Sequence, residues 1–174
     1  MTESSFKGLI QIYTGDGKGK TTAALGQALR ASGRGFRIVV IQFMKGTPSG
    51  ELFFILKYPA FEIVQTSTNN SFNKSTEQLR EEAQYTIAYS EEKMLSGKYD
   101  LIVLDEVFTA ITRGLVSTEQ VLDLLDKKPE QVELVLTGRK APTEIVKRAD
   151  LVTEMLMIKH PYTQGIAARQ GIEY

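Results

Sequence analysis

The sequence contains no cysteine and no tryptophan, and its only histidine is His160. Without cysteine the chain can form no disulfide, no thiolate metal site and no cysteine nucleophile, and the absence favours a reducing compartment. A single histidine leaves few side chains for acid–base or covalent catalysis near neutral pH. We therefore expect any chemistry here to depend on binding and electrostatics.

The chain also lacks an excess of charge and a long apolar run. Its 21 Lys and Arg balance 21 Asp and Glu, which argues against a nucleic-acid partner. No apolar run approaches the roughly 20 residues of a membrane helix, and the start, MTESSFKG, lacks the pattern of a secretory signal. We expect a cytoplasmic protein without a membrane partner, folded as one domain over residues 1–174.

Short apolar runs alternate with helix-like segments. Strands are expected at 8–13, 36–43, 61–65, 99–106, 132–138 and 151–158, and helices at 20–32, from about 76 to 95, near 117–126 and near 143–148. The alternation predicts an α/β fold with a doubly wound, mostly parallel sheet of five or six strands and helices on both faces. Met155 and Met157 alternate in the last expected strand and are assigned to the core.

A glycine-rich segment, TGDGKGKTT at 14–22, lies between the first expected strand and helix. Such a loop turns backbone N–H groups toward one anion, and the helix N-terminus adds partial positive charge. The Lys20 ammonium adds a point charge, and the Thr21 hydroxyl can ligate Mg²⁺. The residues expected to bind phosphate are Gly15, Asp16, Gly17, Lys18, Gly19, Lys20, Thr21 and Thr22.

This segment is a variant of the usual G-x-x-x-x-G-K-[ST] pattern. Thr14 holds the position of the first glycine, and Lys18 is an extra cation inside the loop. The strand, loop and helix context nevertheless predicts a P-loop NTPase-like fold. The variant loop leaves open whether a nucleotide lies as it does in a kinase or GTPase.

A second motif is LIVLDE at 101–106, an apolar run that ends in Asp105 and Glu106. A buried parallel strand of this kind delivers acidic groups to the carboxyl edge of the sheet, where ligands bind in open α/β folds. One of the two acids can support Mg²⁺ while the other orients a reactant, and the pattern does not separate these roles. The alternative is a solvated acidic turn.

Further segments in the same order complete a resemblance that covers nearly the whole chain. They are VVIQFMKG at 39–46, VLTGRKAP at 135–142 and KHPYTQGIAARQGIEY at 159–174, together with the loop and LIVLDE. With these motifs the chain resembles the P-loop ATP:corrinoid adenosyltransferases of the cobalamin pathway, of the type found in enteric bacteria. The resemblance implies transfer of the 5′-deoxyadenosyl group of ATP to the Co(I) of cob(I)alamin or a precursor, releasing triphosphate.

The same resemblance implies roles for individual residues. Lys20, Thr21 and Glu106 are expected to be catalytic, with Thr21 and Glu106 as ligands of Mg²⁺, for which Mn²⁺ is an alternative. Arg30 and Arg139 are expected to contact phosphates, although Arg30 also fits a surface charge near a helix C-terminus. ATP is expected to bind reversed relative to kinases, with the γ-phosphate deep in the loop. A homodimer and a cobalt-reducing flavoprotein partner are also implied.

A corrin ring is a broad, mostly apolar disc, so its site should offer aromatic faces. In the polar stretch 66–75 the only aromatic residue is Phe72, which we expect to displace the lower axial base of cobalamin, the alternative being an anchor for the loop. Phe53 and Phe54 are weaker candidates for the same cavity. His160 is expected to have a structural role.

Two other functions share these motifs. A phosphotransferase or NTPase would use the same loop and acidic strand with attack at the γ-phosphorus, but the arginine-rich lid typical of kinases is not evident. A nucleotide-sensing module would bind ATP without chemistry and respond by ordering the polar loop. The products formed from ATP distinguish these readings.

Overall fold

Six parallel strands form one sheet at the centre of the computed structural model, which describes residues 6–67 and 74–174. The strands are β1 Ile10–Thr14, β2 Ile38–Gln42, β3 Glu62–Gln65, β4 Leu101–Asp105, β5 Glu133–Thr137 and β6 Leu151–Glu154. Their order is β3-β2-β4-β5-β1-β6, and each neighbouring pair is parallel. The α/β class and parallel sheet expected from the sequence are confirmed.

Six α-helices connect the strands. They are α1 Lys20–Ser32, α2 Gly50–Lys57, α3 Thr76–Leu95, α4 Val107–Thr112, α5 Thr118–Asp126 and α6 Thr143–Val146, and a 3₁₀ turn follows at Pro161–Gln164. The bounds of α1 and α3 agree with those expected from the sequence. Ser75 and Ser117 cap the N-termini of α3 and α5 with capping boxes. In each box the serine hydroxyl accepts a hydrogen bond from the backbone N–H of a glutamine three residues later, and that glutamine side chain accepts one from the serine backbone N–H.

The two faces of the sheet bury separate apolar clusters. On one face the alanines of α1 pack on β2, β4 and β5, a contact that small side chains permit at close range. On the other face, side chains from α3 to α6 cover the remaining inward residues of the strands. Helices therefore lie on both faces, as the alternation of elements predicts.

The strand order brings polar residues together at the carboxyl edge of the sheet. The last residue of each of β1 to β5 is polar, namely Thr14, Gln42, Gln65, Asp105 and Thr137. Within this order β5 separates the loop-bearing β1 from the acidic β4. The site consequently spans several strands, with Thr137 placed between the loop and the acidic residues.

The last strand departs from the sequence expectation. β6 ends at Glu154, so Met155 and Met157 lie beyond it. Met157 is exposed and Met155 is half-buried, so their assignment to the core was wrong. Their apolar alternation resembles that of a strand, but β6 is an edge strand whose side chains are all exposed.

Among residues 6–67 and 74–174, no helix has the length and apolar character that a membrane span requires.

A candidate phosphate site at the carboxyl edge

The loop between β1 and α1 is shaped by the backbone that follows β6. Gly15 and Gly19 have positive φ angles of 99° and 120°, which residues other than glycine rarely adopt. A Cβ at Gly15 would lie 2.4 Å from the Met155 carbonyl oxygen. The Gly17 N–H donates to that same oxygen at 2.7 Å. The loop is thus held in its curled form by residue 155.

Lys20 opens α1 and is buried at 7% exposure. Its Nζ donates to the carbonyl oxygens of Gly15 at 2.7 Å and Gly17 at 2.8 Å. Burial lowers the pKa of Lys20, while Glu106 acts in the opposite direction. The Lys20 ammonium therefore lies at the centre of the loop. A phosphate bound there would accept its hydrogen bonds in place of the two carbonyl oxygens, and a charged acceptor makes the stronger bond.

Asp105 is a buried acceptor surrounded by donors. Its Oδ1 accepts from the Thr21 hydroxyl at 2.9 Å and the Thr137 hydroxyl at 2.7 Å, and its Oδ2 accepts from Gln42 Nε2 at 3.1 Å. Burial raises the pKa of Asp105, and the hydrogen bonds oppose that rise. Because these bonds occupy its oxygens, Asp105 orients its neighbours and does not itself face a ligand.

Glu106 follows β4 in a left-handed conformation, with φ 62°. A non-glycine residue in this region is strained, and such strain commonly occurs at functional sites. The Glu106 N–H donates to the Thr137 hydroxyl oxygen at 2.9 Å, and its carboxylate accepts from the Thr109 hydroxyl. Thr137 therefore fixes both acids, and Glu106 is the one that lines the cavity.

The arrangement of Thr21 and Glu106 fits Mg²⁺. Thr21 donates its proton to Asp105, so the lone pairs of its oxygen are free for a cation. Mg²⁺ commonly takes one or two protein groups and completes its coordination with substrate phosphates and water. The donors are oxygen atoms, as Mg²⁺ prefers.

An ion pair formed by Lys45, which follows β2, and Glu51 of α2 forms another wall of the site. The Lys45 ammonium pairs with the Glu51 carboxylate, which also accepts from Gln42 Nε2 at 3.2 Å. Burial opposes its ionisation, but hydrogen bonding from Lys45 and others lowers the pKa of Glu51 to about 2. Since Gln42 also contacts Asp105, the wall is connected to Thr21. Sequence reasoning missed this pair, although the position of Lys45 just beyond β2 at the carboxyl edge was a usable signal.

These groups surround one cavity of about 480 Å³. Its lining comprises Asp16, Gly17, Lys18, Gly19, Lys20, Thr21, Thr22 and Leu25, then Lys45, Gly50 and Glu51, then Glu106 and Arg139, and finally His160 and residues 171–174. The volume falls in the usual range for a cofactor-sized ligand. The structure thus brings most of the predicted site residues together. Gly15 does not line the cavity itself, but its carbonyl oxygen accepts a hydrogen bond from Lys20.

Three predicted residues lie elsewhere. Arg30 is exposed in the last turn of α1, about 15 Å from Lys20 at the helical rise of ~1.5 Å per residue. Phe53 and Phe54 are exposed on α2 and do not line the cavity. Phe72 falls outside the described residues, so its role stays a prediction.

Arg139 and His160 both reach the cavity. Arg139 lies on its rim, with Nη1 3.8 Å from Asp16 Oδ1, and it is largely exposed. His160 caps the 3₁₀ turn, because its Nδ1 accepts the Tyr162 N–H at 3.1 Å. This cap agrees with the structural role expected for His160, which in addition borders the site.

Comparison with known proteins assigns the chain to a protein family. The family described as ATP:corrinoid adenosyltransferase BtuR/CobO/CobP matches residues 6–174. Proteins named corrinoid adenosyltransferase are similar in Escherichia coli K12 (34% identity, 97% of this chain, 86% of the relative) and Pseudomonas aeruginosa (34%, 97%, 84%). A Sinorhizobium protein of the same name is 35% identical over 99% of this chain and 83% of its own length.

Proposed function

This chain belongs to the ATP:corrinoid adenosyltransferase BtuR/CobO/CobP family, and from that membership we propose how its cavity transfers the 5′-deoxyadenosyl group of ATP to a corrinoid. The Co(I) of the substrate attacks carbon 5′ with its own electron pair. A Co–C bond forms, the C5′–O bond breaks, and its electrons leave with triphosphate. No proton needs to move to the protein, which agrees with the small supply of acid–base residues.

The observation that carries the proposal is the set of cations around one loop. Lys20 is buried at the loop centre, and Lys18 and Arg139 stand at its rim. In the transition state negative charge builds on the departing triphosphate, and cations already held in position stabilise that charge. We expect Lys20 to supply the largest share, because it is the most buried of these three.

Thr21 and Glu106 would hold Mg²⁺, with Mn²⁺ as an alternative. When bound, such a cation neutralises phosphate charge and orients the leaving group. The chain's own part is to present two oxygen ligands at fixed positions: Asp105 holds the Thr21 hydroxyl, and Thr109 and Thr137 hold Glu106.

We propose that the corrinoid binds over α2. Among the α-helices with described coordinates, only α2 buries no residue. Several of its large apolar side chains are exposed, beginning two residues after Glu51 of the cavity: Phe53, Phe54 and Leu56, with Tyr58 just after the helix. An apolar disc with polar edges suits such a surface. Phe72, in the polar stretch 66–75 of the sequence, is proposed as the residue that displaces the lower axial base of cobalamin.

The test of this function is product analysis. Incubation with Mg-ATP and a chemically reduced corrinoid should give a light-sensitive alkylcobalt product, visible in the absorption spectrum, and intact triphosphate in equal amount. Release of ADP in place of triphosphate would support a phosphotransferase and overturn the proposal. Binding of ATP without any product would support a sensing module.

A homodimer is proposed on the edge formed by β6. This strand pairs only with β1 among the described strands. The apolar side chains of Leu151, Val152, Leu156, Met157 and Ile158 are all exposed there. An unpaired edge with adjacent apolar residues is the kind of surface that a twofold-related copy covers. A cytoplasmic location, expected above from the sequence, is also proposed. A flavoprotein that reduces cobalt is proposed on the family resemblance alone.

A further inference from the structure

The C-terminal tail, residues 169–174, forms one end of the ATP cavity. It is a compact turn, in which the Arg169 guanidinium and N–H bind the Glu173 carboxylate and the Gly171 N–H donates to the Tyr174 carbonyl at 2.8 Å. Residues 171–174 line the cavity. The tail is therefore a folded wall of the site.

Lys18 ties this wall to the phosphate loop. Its Nζ donates to the Ile172 carbonyl oxygen at 2.6 Å and lies 3.9 Å from the Glu173 carboxylate. Lys18 is the extra cation that distinguishes this loop from the usual pattern. It holds the tail at the mouth of the loop, and about half of its side-chain surface is exposed.

The strand order fixes which end the tail closes. On one side of β1 lie β5, β4 and β2, which bring Glu106, Lys45 and Glu51 to the cavity; on the other side lies β6, after which the chain leads to His160 and the tail. In a usual nucleotide loop the lysine and the Mg²⁺-binding hydroxyl meet the terminal phosphates next to the acidic strand. The nucleoside then leaves on the opposite side. Here that side is occupied by the tail.

We propose that the C-terminal tail is an end stop that admits a terminal phosphate but excludes a nucleoside. ATP is then accepted only with its adenosine directed across the acidic strand toward α2. In that direction carbon 5′ faces the proposed corrinoid surface, and the γ-phosphate faces Lys18. The inference rests on the proposed function and names the part of this chain that selects attack at carbon over attack at phosphorus.

Diadenosine triphosphate tests the stop directly, because it carries a nucleoside at both ends of the same triphosphate. Competition against ATP is measured in the adenosylation assay with the full chain. We expect diadenosine triphosphate to compete at least tenfold more weakly than inorganic triphosphate. Equal competition by the two compounds would overturn the proposal, whereas absence of alkylcobalt product from ATP would instead reject the proposed function.

Removal of residues 171–174 supplies the second arm. The shortened chain should bind diadenosine triphosphate within threefold of ATP. Because ATP can then enter in either direction, water can attack the γ-phosphorus, and ADP and inorganic phosphate should appear in equal amounts. Lys147→Ala, an exposed change outside both the tail and the cavity lining, should behave as wild type. Continued exclusion of diadenosine triphosphate by a folded shortened chain would overturn the proposal. If that chain fails to fold, the double change Ile172→Gly and Tyr174→Gly, which thins the wall, is measured in its place with the same criteria.

Discussion

At the scale of single residues, the site depends on buried groups whose hydrogen bonds leave few alternatives. Lys20 reaches two loop carbonyls, and Asp105 accepts from three side chains. These bonds hold the side chains in place before any ligand arrives. Preorganisation of this kind lets charged groups act without reorganising during the reaction.

Removal of either charged group at the phosphates should be costly. We expect Lys20→Ala and Glu106→Ala each to lower the turnover number by about a hundredfold, the order seen when one preorganised electrostatic contact is lost. Steady-state formation of alkylcobalt product measures the effect. Lys147→Ala removes an exposed lysine and serves as the control. Near-normal turnover in both site variants would contradict the assignment.

The Lys45 and Glu51 pair predicts a pH dependence of stability. The pKa of Glu51 falls from 4.5 to about 2 in the folded protein, so its ionised form stabilises the fold above pH 4.5 and loses that contribution as pH falls toward 2. We expect the free energy of unfolding of wild type to drop more between these values than that of Glu51→Gln. Urea denaturation at a series of pH values measures both. Parallel curves would show that the pair contributes nothing.

The sequence predicts the residues whose role is local and misses those whose role depends on packing. Lys20, Thr21 and Glu106 lie within contiguous motifs, and the structure gathers them in one cavity. Gln42 and Glu51 belong to no motif, because they meet Asp105 only through the order of the strands. Arg30 is the opposite case. It lies in a segment that carries the family resemblance, but in this chain it is exposed in the last turn of α1 and does not line the cavity.

At the scale of elements, the two strongest helices could be predicted to the residue and the weakest could not. α1 and α3 begin at clear signals, a glycine-rich loop and a capping serine. α4 has only six residues, several of them β-branched, and starts after a left-handed residue. α2 is apolar over most of its length, so no amphipathic period marks it. Tertiary contacts decide such segments, and local propensity does not.

The junction between β5 and α4 leaves no room for a side chain at Gly138. Gly138 has φ 139°, and a Cβ there would lie 2.8 Å from Phe108 Cβ. We expect Gly138→Ala to lower the free energy of unfolding by about 1–3 kcal/mol, and to reduce turnover because α4 carries Thr109, which holds Glu106. Thermal denaturation and the adenosylation assay measure the two effects.

Gly26→Ala is the matched control for that junction. Gly26 lies within α1, and a Cβ there has no neighbour within 4 Å. Alanine at this position should raise stability by about 0.5–1 kcal/mol, since glycine weakens a helix interior. Equal effects of the two substitutions would show that contact at Gly138 is not what limits the junction.

At the scale of the whole molecule, the exposed β6 edge predicts the state of association. Ile158 is 88% exposed, and a charge at the centre of a dimer contact should destabilise it strongly. We expect light scattering to show a dimer for wild type and a monomer for Ile158→Asp. Leu95→Asp, at the exposed end of α3, should leave the dimer intact. A monomeric wild type at micromolar concentration would reject the edge as an interface.

The hydrogen bond from Gly17 to Met155 has a consequence for how the protein can be divided. The phosphate loop near the start of the chain is moulded on backbone more than 130 residues later, although the strand before that backbone adds no side chain to the core. A split or circularly permuted form that separates residue 155 from the loop should therefore retain a folded centre and lose nucleotide affinity. Adding the missing peptide in trans should restore binding, which would make the segment from β6 onward a separable part of the ATP site.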